Sequence, residues 1–187
     1  MRKLWLLRHA PVIAEPGLCY GATDLEAEAE ATLAAAQRIA PLLPAGIALR
    51  SSPLRRCAAL AGAIAALRPD LTMQPDARLA EMSFGAWEGR PWSAIAREEF
   101  EAWTGNFADG IAGASGESVR AFMRRTAEAH DEWLAGEGDA LWVTHAGVLR
   151  AVTLLQRGVR CPEAAADWPV GDLAFGGWLT FEHPPAG

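Results

Sequence analysis

Short apolar runs alternate with longer helix-forming segments along most of the chain, and this alternation limits the fold more than any other feature. Predicted strands cover 3–7, 47–51, 71–74, 140–144 and 177–182. Predicted helices cover 26–40, 53–67, 91–103, 117–135 and 147–156. Strands that alternate with helices are typical of a sheet whose two faces are both covered. We therefore predict an α/β fold, a three-layer α/β/α sandwich with a largely parallel central sheet.

The length of 187 residues fits one domain, so we expect residues 1–187 to form a single domain. The segment at about 81–116 differs from the rest because Trp, Phe and Gly are concentrated in it. We interpret this segment as a small cap-like insertion that lies over one edge of the main domain. Its aromatic side chains are expected mainly to form the core of that insertion.

Charge and cysteine content exclude several classes of protein. The net charge of −6 argues against a nucleic-acid or anionic-membrane partner, because binding to polyanions begins with a basic face. Arg8 and His9 end the first apolar run too early for a signal peptide, and no run is long enough to span a membrane. The three cysteines are far apart, which predicts neither a disulfide framework nor a metal site. A reducing cytoplasm is the expected location.

Polar side chains follow three of the predicted strands at the points where those strands end. Arg8 and His9 follow the first strand, Arg56 lies in the first turn after the second, and His145 follows the strand at 140–144. In an open α/β sheet, ligands bind outside the carboxyl ends of the strands. Two helix N-termini, one of them with Ser52 as the expected N-cap, would add backbone N–H donors there. These residues predict a phosphate site.

Five blocks of sequence carry a resemblance to a known family. They are LLRHA at 6–10, SSPLRRC at 51–57, EMSFGAWEG at 81–89, GES at 116–118 and VTHAG at 143–147. In this order they resemble the histidine phosphatase (phosphoglycerate mutase-like) superfamily. The usual RHG reads RHA here, and the Ala in place of Gly would be strained if that position required a positive φ.

The resemblance implies a role for each of five residues. His9 would attack phosphorus and become a phosphohistidine, and Arg8 and Arg56 would bind the phosphoryl oxygens. His145 would donate a hydrogen bond to the same oxygens and stabilise the charge of the transition state. Glu81 would act as general acid for the leaving alcohol and then as general base for water. The resemblance implies no metal and no cofactor.

Other polar residues nearby have competing interpretations. Arg55 is expected to be a solvated helix residue or a contact at the rim of the site. Glu88 competes with Glu81 for the role of acid. Glu117 fits the start of a helix, although the family places its GES block near the pocket. Arg124 and Arg125 are expected to form an exposed helix face.

The segment PGLCYGATDL at 16–25 narrows the resemblance to the α-ribazole phosphatases of cobalamin synthesis. Such an enzyme would remove the 5′-phosphate of α-ribazole phosphate or of cobalamin phosphate. The substrate contacts expected from this resemblance are Cys19, Tyr20, Gly21, Trp87 and Ala146.

Two alternatives remain open for the function. One is a broad-range sugar-phosphate phosphatase or a mutase of the same superfamily. The other is a non-catalytic module that binds a phosphorylated ligand, which would have no need of a nucleophile or an acid. A small phosphomonoester is the expected partner in each case. The oligomeric state is left open, with a homodimer as one candidate.

Overall fold

The computed structural model describes residues 1–171 and 173–184, and within these residues five strands form one sheet. The strands are β1 (Arg2–Arg8), β2 (Ala48–Ser51), β3 (Met73–Pro75), β4 (Ala140–Thr144) and β5 (Trp178–His183). Their order in the sheet is β3-β2-β4-β1-β5. Strand β5 runs antiparallel to β1, and the other neighbouring strands are parallel. The predicted α/β fold with a largely parallel sheet is confirmed.

Helices cover both faces of this sheet. The α-helices among the described residues are α1 (Ala29–Ile39), α2 (Arg55–Leu67), α3 (Arg97–Gly105), α4 (Val119–Ala135) and α5 (Ala146–Gln156). Leu6 of β1 and Trp142 of β4 pack in the apolar cluster formed with α4 and α5. Leu141 and Val143 of β4 pack in the cluster formed with α1 and α2. Successive strand residues point to opposite faces, and this alternation produces the two cores. None of the helices in 1–171 or 173–184 is long and apolar enough to cross a membrane.

The register of the parallel strands brings their carboxyl ends together. Arg8 at the end of β1 lies beside Thr144 at the end of β4. Ser51 at the end of β2 lies beside Val143, one residue earlier in β4. The residues that follow β1, β2 and β4 therefore emerge at the same edge of the sheet, as the sequence predicts.

The predicted start of α2 is wrong by two residues. Leu54 is extended, with φ −64° and ψ 137°, so the helix begins at Arg55. Ser52 is not an N-cap, because its hydroxyl accepts a hydrogen bond from the Leu54 amide at 3.3 Å instead of from a helical N–H. Pro53 consequently lies before the helix and not in its first turn.

The helix predicted at 91–103 is present only from Arg97 onward, so its predicted start is wrong. A short 3₁₀ turn covers Trp92–Ala94, and α3 begins only at Arg97. Between them Ile95 is extended, and its side chain is buried in the core. Tertiary packing of Ile95 thus interrupts the helical conformation that local sequence favours. Segment 81–116 shares its apolar cluster with the central sheet, and its interpretation as an inserted cap stays a prediction.

Candidate active site

The ends of β1, β2 and β4 bring three of the predicted side chains into direct proximity. The ring centroids of His9 and His145 are 5.2 Å apart. Arg56 Nε donates to His145 Nδ1 at 3.3 Å. The His9 amide donates to the Thr144 carbonyl at 3.0 Å, which fixes the end of β1 against the end of β4. The structure therefore places His9, Arg56 and His145 in one site.

His9 is buried and has a defined hydrogen-bonding state. Its Nδ1 lies 2.7 Å from the Ala10 carbonyl oxygen, which can only accept, so Nδ1 carries a hydrogen. Burial lowers the pKa of His9 to about 3, and the charges of Arg56 and Arg8 add to that effect, while the Ala10 carbonyl opposes it. Near neutral pH the ring is therefore uncharged, and Nε2 holds a lone pair that can attack an electrophile.

Ala10, which stands where the family pattern has Gly, causes no backbone strain. Among the described residues other than glycine, Ala114 alone has a positive φ. Ala10 is fully buried, and its carbonyl oxygen is the acceptor for His9 Nδ1. This position therefore needs no glycine in this chain.

Arg56 is fully buried, and its guanidinium is held by the loop that precedes α1. One terminal nitrogen donates to the Thr23 carbonyl at 2.7 Å and the other to the Gly21 carbonyl at 2.6 Å. Each of these nitrogens has a second hydrogen, so the fork can still bind an anion. A side chain at Gly21 would meet the Met82 carbonyl oxygen at 1.8 Å, so only Gly allows this close approach. Gly21 thus shapes the site through its backbone.

His145 is fully buried, and both of its ring nitrogens have partners. Nδ1 accepts from Arg56, so in the neutral ring Nε2 carries the hydrogen and donates to Ser52 Oγ at 2.8 Å. Burial, with the nearby charge of Arg56, lowers the pKa of His145 well below its ordinary value. The resemblance implies that His145 donates to a phosphoryl oxygen. That oxygen would therefore compete with Ser52 Oγ for the hydrogen on Nε2.

Arg8 reaches the site from β1 and packs on an aromatic ring that the sequence analysis missed. Its guanidinium carbon lies 3.7 Å from the ring centroid of Phe175, and a terminal nitrogen donates to the Leu173 carbonyl at 2.7 Å. The same ring is 5.5 Å from His9. Phe175 therefore forms an apolar wall beside both residues and orients Arg8 through a cation–π contact. Its only sequence signal is its place just before β5, the strand paired with β1.

The carboxylate of Glu81 lies next to the first turn of α5 and accepts two backbone hydrogen bonds, one of them from that helix. Gly147 N donates to Oε2 at 3.1 Å, and Met82 N donates to Oε1 at 3.1 Å. A Cβ atom at Gly147 would lie 2.1 Å from Oε1, so any side chain there would displace the carboxylate from this position. The sequence predicts that the amides at the N-termini of α2 and α5 bind the anion, but carboxylates already occupy one amide of each helix. Asp24 accepts from the Arg55 amide at 2.7 Å, because a helix N-terminus attracts negative charge.

Glu88, the competitor for the role of acid, anchors a loop instead. Its carboxylate accepts from the amides of Ala22 and Phe84, both at 2.9 Å, and from the amide and hydroxyl of Thr23. Burial raises the pKa of Glu88, but the hydrogen bonds from Thr23, Phe84 and Ala22 outweigh burial and lower it. Glu88 is therefore ionised near neutral pH and poorly suited to donating a proton.

The remaining predicted contacts differ in how close they lie to the site. Tyr20 is half-buried, and its ring centroid is 5.4 Å from the Arg56 guanidinium carbon. Ala146 is half-buried and directly follows His145. Cys19 is fully buried, and burial raises the pKa of its thiol to about 12. Trp87 is also buried, and its Nε1 donates to Glu99 at 2.8 Å. Among the described residues, no hydrogen bond or ring contact links the side chain of Cys19 or Trp87 to Arg56.

A cavity of about 250 Å³ adjoins Glu81. Glu81, Gly147 and Arg150 line part of it. The rest of its wall is largely aromatic and includes Phe84, Phe100, Trp103, Phe107, Phe122 and Trp168. The site thus combines the cationic side chains of Arg8 and Arg56 with a neighbouring cavity suited to an apolar group. In the described part of the chain, no group of three or more His, Cys, Asp or Glu residues could hold a metal ion.

Comparison with known proteins gives a family and several similar structures. The sequence model of the histidine phosphatase superfamily (branch 1) matches residues 4–171. The crystal structure of TTHB049 from Thermus thermophilus is similar, with 29% identity, a TM-score of 0.73, and coverage of 98% of this chain and 95% of that one. A mycobacterial glucosyl-3-phosphoglycerate phosphatase, solved with VO3, has 25% identity, a TM-score of 0.80, and coverage of 96% and 92%. No curated protein sequence matches this chain.

The buried histidines predict how stability depends on pH. In the unfolded chain His9 has its ordinary pKa of 6.5, and in the folded protein the pKa is about 3. Between these values the unfolded state binds a proton that the folded state does not, so the free energy of unfolding falls as pH decreases through this range. Urea denaturation at pH values from about 7 to about 5 should show this loss of stability.

The variant His9→Gln provides the control for this effect. Without the imidazole at position 9, the free energy of unfolding should fall less steeply over the same pH range. Carboxylates that titrate at lower pH affect both proteins alike and cancel in the comparison. Equal slopes for the wild type and His9→Gln would contradict the lowered pKa of His9.

Proposed function

The chain belongs to the histidine phosphatase superfamily, branch 1, and on that premise we propose that it is a metal-independent phosphomonoesterase that acts through a phosphohistidine at His9. The observation that carries this proposal is the state of the His9 ring. It is uncharged, it holds its hydrogen on Nδ1 against the Ala10 carbonyl, and it leaves Nε2 free to act as nucleophile next to Arg8 and Arg56.

In the first step, the Nε2 lone pair of His9 attacks phosphorus and forms the P–N bond. The P–O bond to the alcohol breaks, and Glu81 gives its proton to the leaving oxygen. Arg8 and Arg56 hold the non-bridging oxygens and stabilise their negative charge. The imidazole becomes positively charged as the bond forms, and the Ala10 carbonyl at 2.7 Å from Nδ1 stabilises that charge.

In the second step, water replaces His9 on phosphorus. Glu81, now a carboxylate, takes a proton from water while the water oxygen attacks phosphorus. The P–N bond breaks, its electron pair returns to Nε2, and inorganic phosphate leaves. His9 is again neutral and Glu81 is again protonated, so the cycle closes without a cofactor.

For the substrate we propose α-ribazole phosphate or the corresponding cobalamin phosphate. The resemblance of residues 16–25 to the α-ribazole phosphatases supports this choice, and Tyr20 of that segment lies beside Arg56. The aromatic cavity next to Glu81 also supports it, since the leaving group of α-ribazole phosphate carries an aromatic base. A sugar-acid phosphate is the second candidate, favoured by the similarity to a glucosyl-3-phosphoglycerate phosphatase and by Arg150 at the cavity.

Hydrolysis of p-nitrophenyl phosphate in the presence of EDTA tests the proposed reaction. We expect full activity in EDTA and a loss of at least about a thousandfold in kcat for His9→Ala, because the nucleophile is removed. Arg56→Ala should lower kcat/KM about a hundredfold, because a buried donor to the phosphoryl oxygens is lost.

Arg55→Ala is the matched control for Arg56→Ala, because the neighbouring Arg55 is exposed and paired with Glu26. Its kcat/KM should stay within about threefold of the wild type. Equal activity of wild type and His9→Ala would refute the nucleophile. Strong inhibition by EDTA would indicate a metal-dependent enzyme instead.

Competition between phosphate esters tests the proposed substrate. We expect kcat/KM for α-ribazole phosphate to exceed that for common sugar phosphates by at least about tenfold, because the aromatic base can bury its surface in the cavity. Phe107→Ala, which removes a ring from the cavity wall, should reduce this preference. A kcat/KM for α-ribazole phosphate no better than for the sugar phosphates would remove this substrate and leave the phosphatase proposal intact.

A further inference from the structure

We propose that Arg125 and Glu117 of this chain are positioning residues that hold the backbone of Glu81 where its carboxyl group can transfer a proton. The inference rests on the proposed function, because Glu81 is the general acid only in that reaction. Neither residue lines the cavity next to Glu81. The sequence predicts Arg125 as part of a helix face, and it predicts Glu117 as the start of a helix, with the resemblance placing its GES block near the pocket.

Arg125 points from α4 towards the segment that leads into Glu81. One terminal nitrogen donates to the Arg78 carbonyl at 2.9 Å and to the Ala80 carbonyl at 2.7 Å. The other terminal nitrogen donates to the carbonyl of Glu81 itself at 3.0 Å. A single guanidinium therefore binds three carbonyls within four residues. Because the fork of Arg is planar and rigid, little side-chain entropy is lost for each hydrogen bond that it forms.

Glu117 binds both Arg125 and the backbone that follows Glu81. Its carboxylate forms a two-bond pair with Arg125, at 2.8 and 2.9 Å. It also accepts from the Ser83 amide at 3.1 Å, and the Glu117 amide donates to the Ser83 carbonyl at 2.8 Å. Burial raises the pKa of Glu117, but the hydrogen bond and charge of Arg125 outweigh burial and lower it. The pair is therefore ionised and binds the chain both before and after Glu81.

The segment needs this support because it has no regular structure of its own. Residues 80–84 belong to no helix or strand, so no ladder of backbone hydrogen bonds fixes them. Among residues 1–171 and 173–184, the hydrogen bonds to the Glu81 carboxylate come from two amides, those of Met82 and Gly147, each at 3.1 Å. Proton transfer requires an approach of about 2.6–3.2 Å between heavy atoms, so a small shift of this backbone removes the acid from reach.

The experiment uses two esters that depend differently on a general acid. An aryl ester, p-nitrophenyl phosphate, releases a stable anion and needs little protonation, whereas β-glycerol phosphate releases an alkoxide that needs a proton. The measured quantity is the ratio of kcat/KM for the alkyl ester to that for the aryl ester. Because kcat/KM covers only the steps up to alcohol release, the later hydrolysis of phosphohistidine does not affect it.

Glu81→Gln should lower this ratio about a hundredfold and sets the scale for complete loss of the acid. Arg125→Ala should lower it about tenfold, through a loss of about thirtyfold on the alkyl ester against about threefold on the aryl ester. Glu117→Gln keeps the size of the side chain and removes its charge, and it should lower the ratio in the same direction even if Arg125→Ala folds poorly. Arg124→Ala is the matched control, since Arg124 is exposed on the same helix, and its ratio should match the wild type.

The possible failures can be distinguished. If Arg125→Ala and Glu117→Gln lower kcat/KM equally for both esters while Glu81→Gln lowers the ratio, their role is only structural and the inference is overturned. If Glu81→Gln leaves the ratio unchanged, Glu81 is not the acid and the inference falls with that assignment. If the wild type hydrolyses neither ester, the proposed function itself is wrong.

Discussion

The guanidinium of Arg56 is a fully buried positive charge, and its hydrogen bonds connect parts of the chain that are distant in sequence. It binds the carbonyls of Gly21 and Thr23 in one loop and the ring of His145 after β4. Burying a cation is costly unless its donors have partners, so these contacts must form together for the site to be stable. Arg56 thereby links the loop after β1 and the start of α2 to the residues that follow β4.

A second set of interactions keeps the partners of Arg56 in place. Glu88 binds the amides of Ala22 and Thr23, and so it fixes the loop whose carbonyls receive the guanidinium. In a similar way, Arg125 and Glu117 hold the backbone on either side of Glu81, although this backbone does not contact Arg56 through a hydrogen bond among the described residues. Each of these ionised groups satisfies backbone donors or acceptors in segments without regular structure. The site is therefore built on loops whose positions depend on half-buried charged side chains.

The sequence was sufficient to predict the fold class and the meeting of Arg8, His9, Arg56 and His145, because strand ends in a parallel sheet share one edge. It was not sufficient for contacts made by residues without a local pattern. Phe175 packs on Arg8 because β5 pairs with β1, a pairing that no motif near position 175 indicates. No local motif indicates the role of Arg125 either. The sequence predicts it as part of a helix face, and its contacts with the segment before Glu81 exist only because α4 packs against that segment. The break before α3 was missed because burial of Ile95 outweighs local helix propensity.

The proposed reaction requires that His9 Nε2 accept the phosphoryl group. The most direct measurement is to mix the wild type with p-nitrophenyl phosphate, quench the reaction within milliseconds under alkaline conditions that preserve phosphohistidine, and map the modified peptide by mass spectrometry. We expect one phosphoryl group on His9, and we expect it to be retained longer in Glu81→Gln because the general base for its hydrolysis is absent. Hydrolysis by the wild type without any phosphorylated intermediate, or a phosphoryl group on His145 instead of His9, would contradict the proposed reaction.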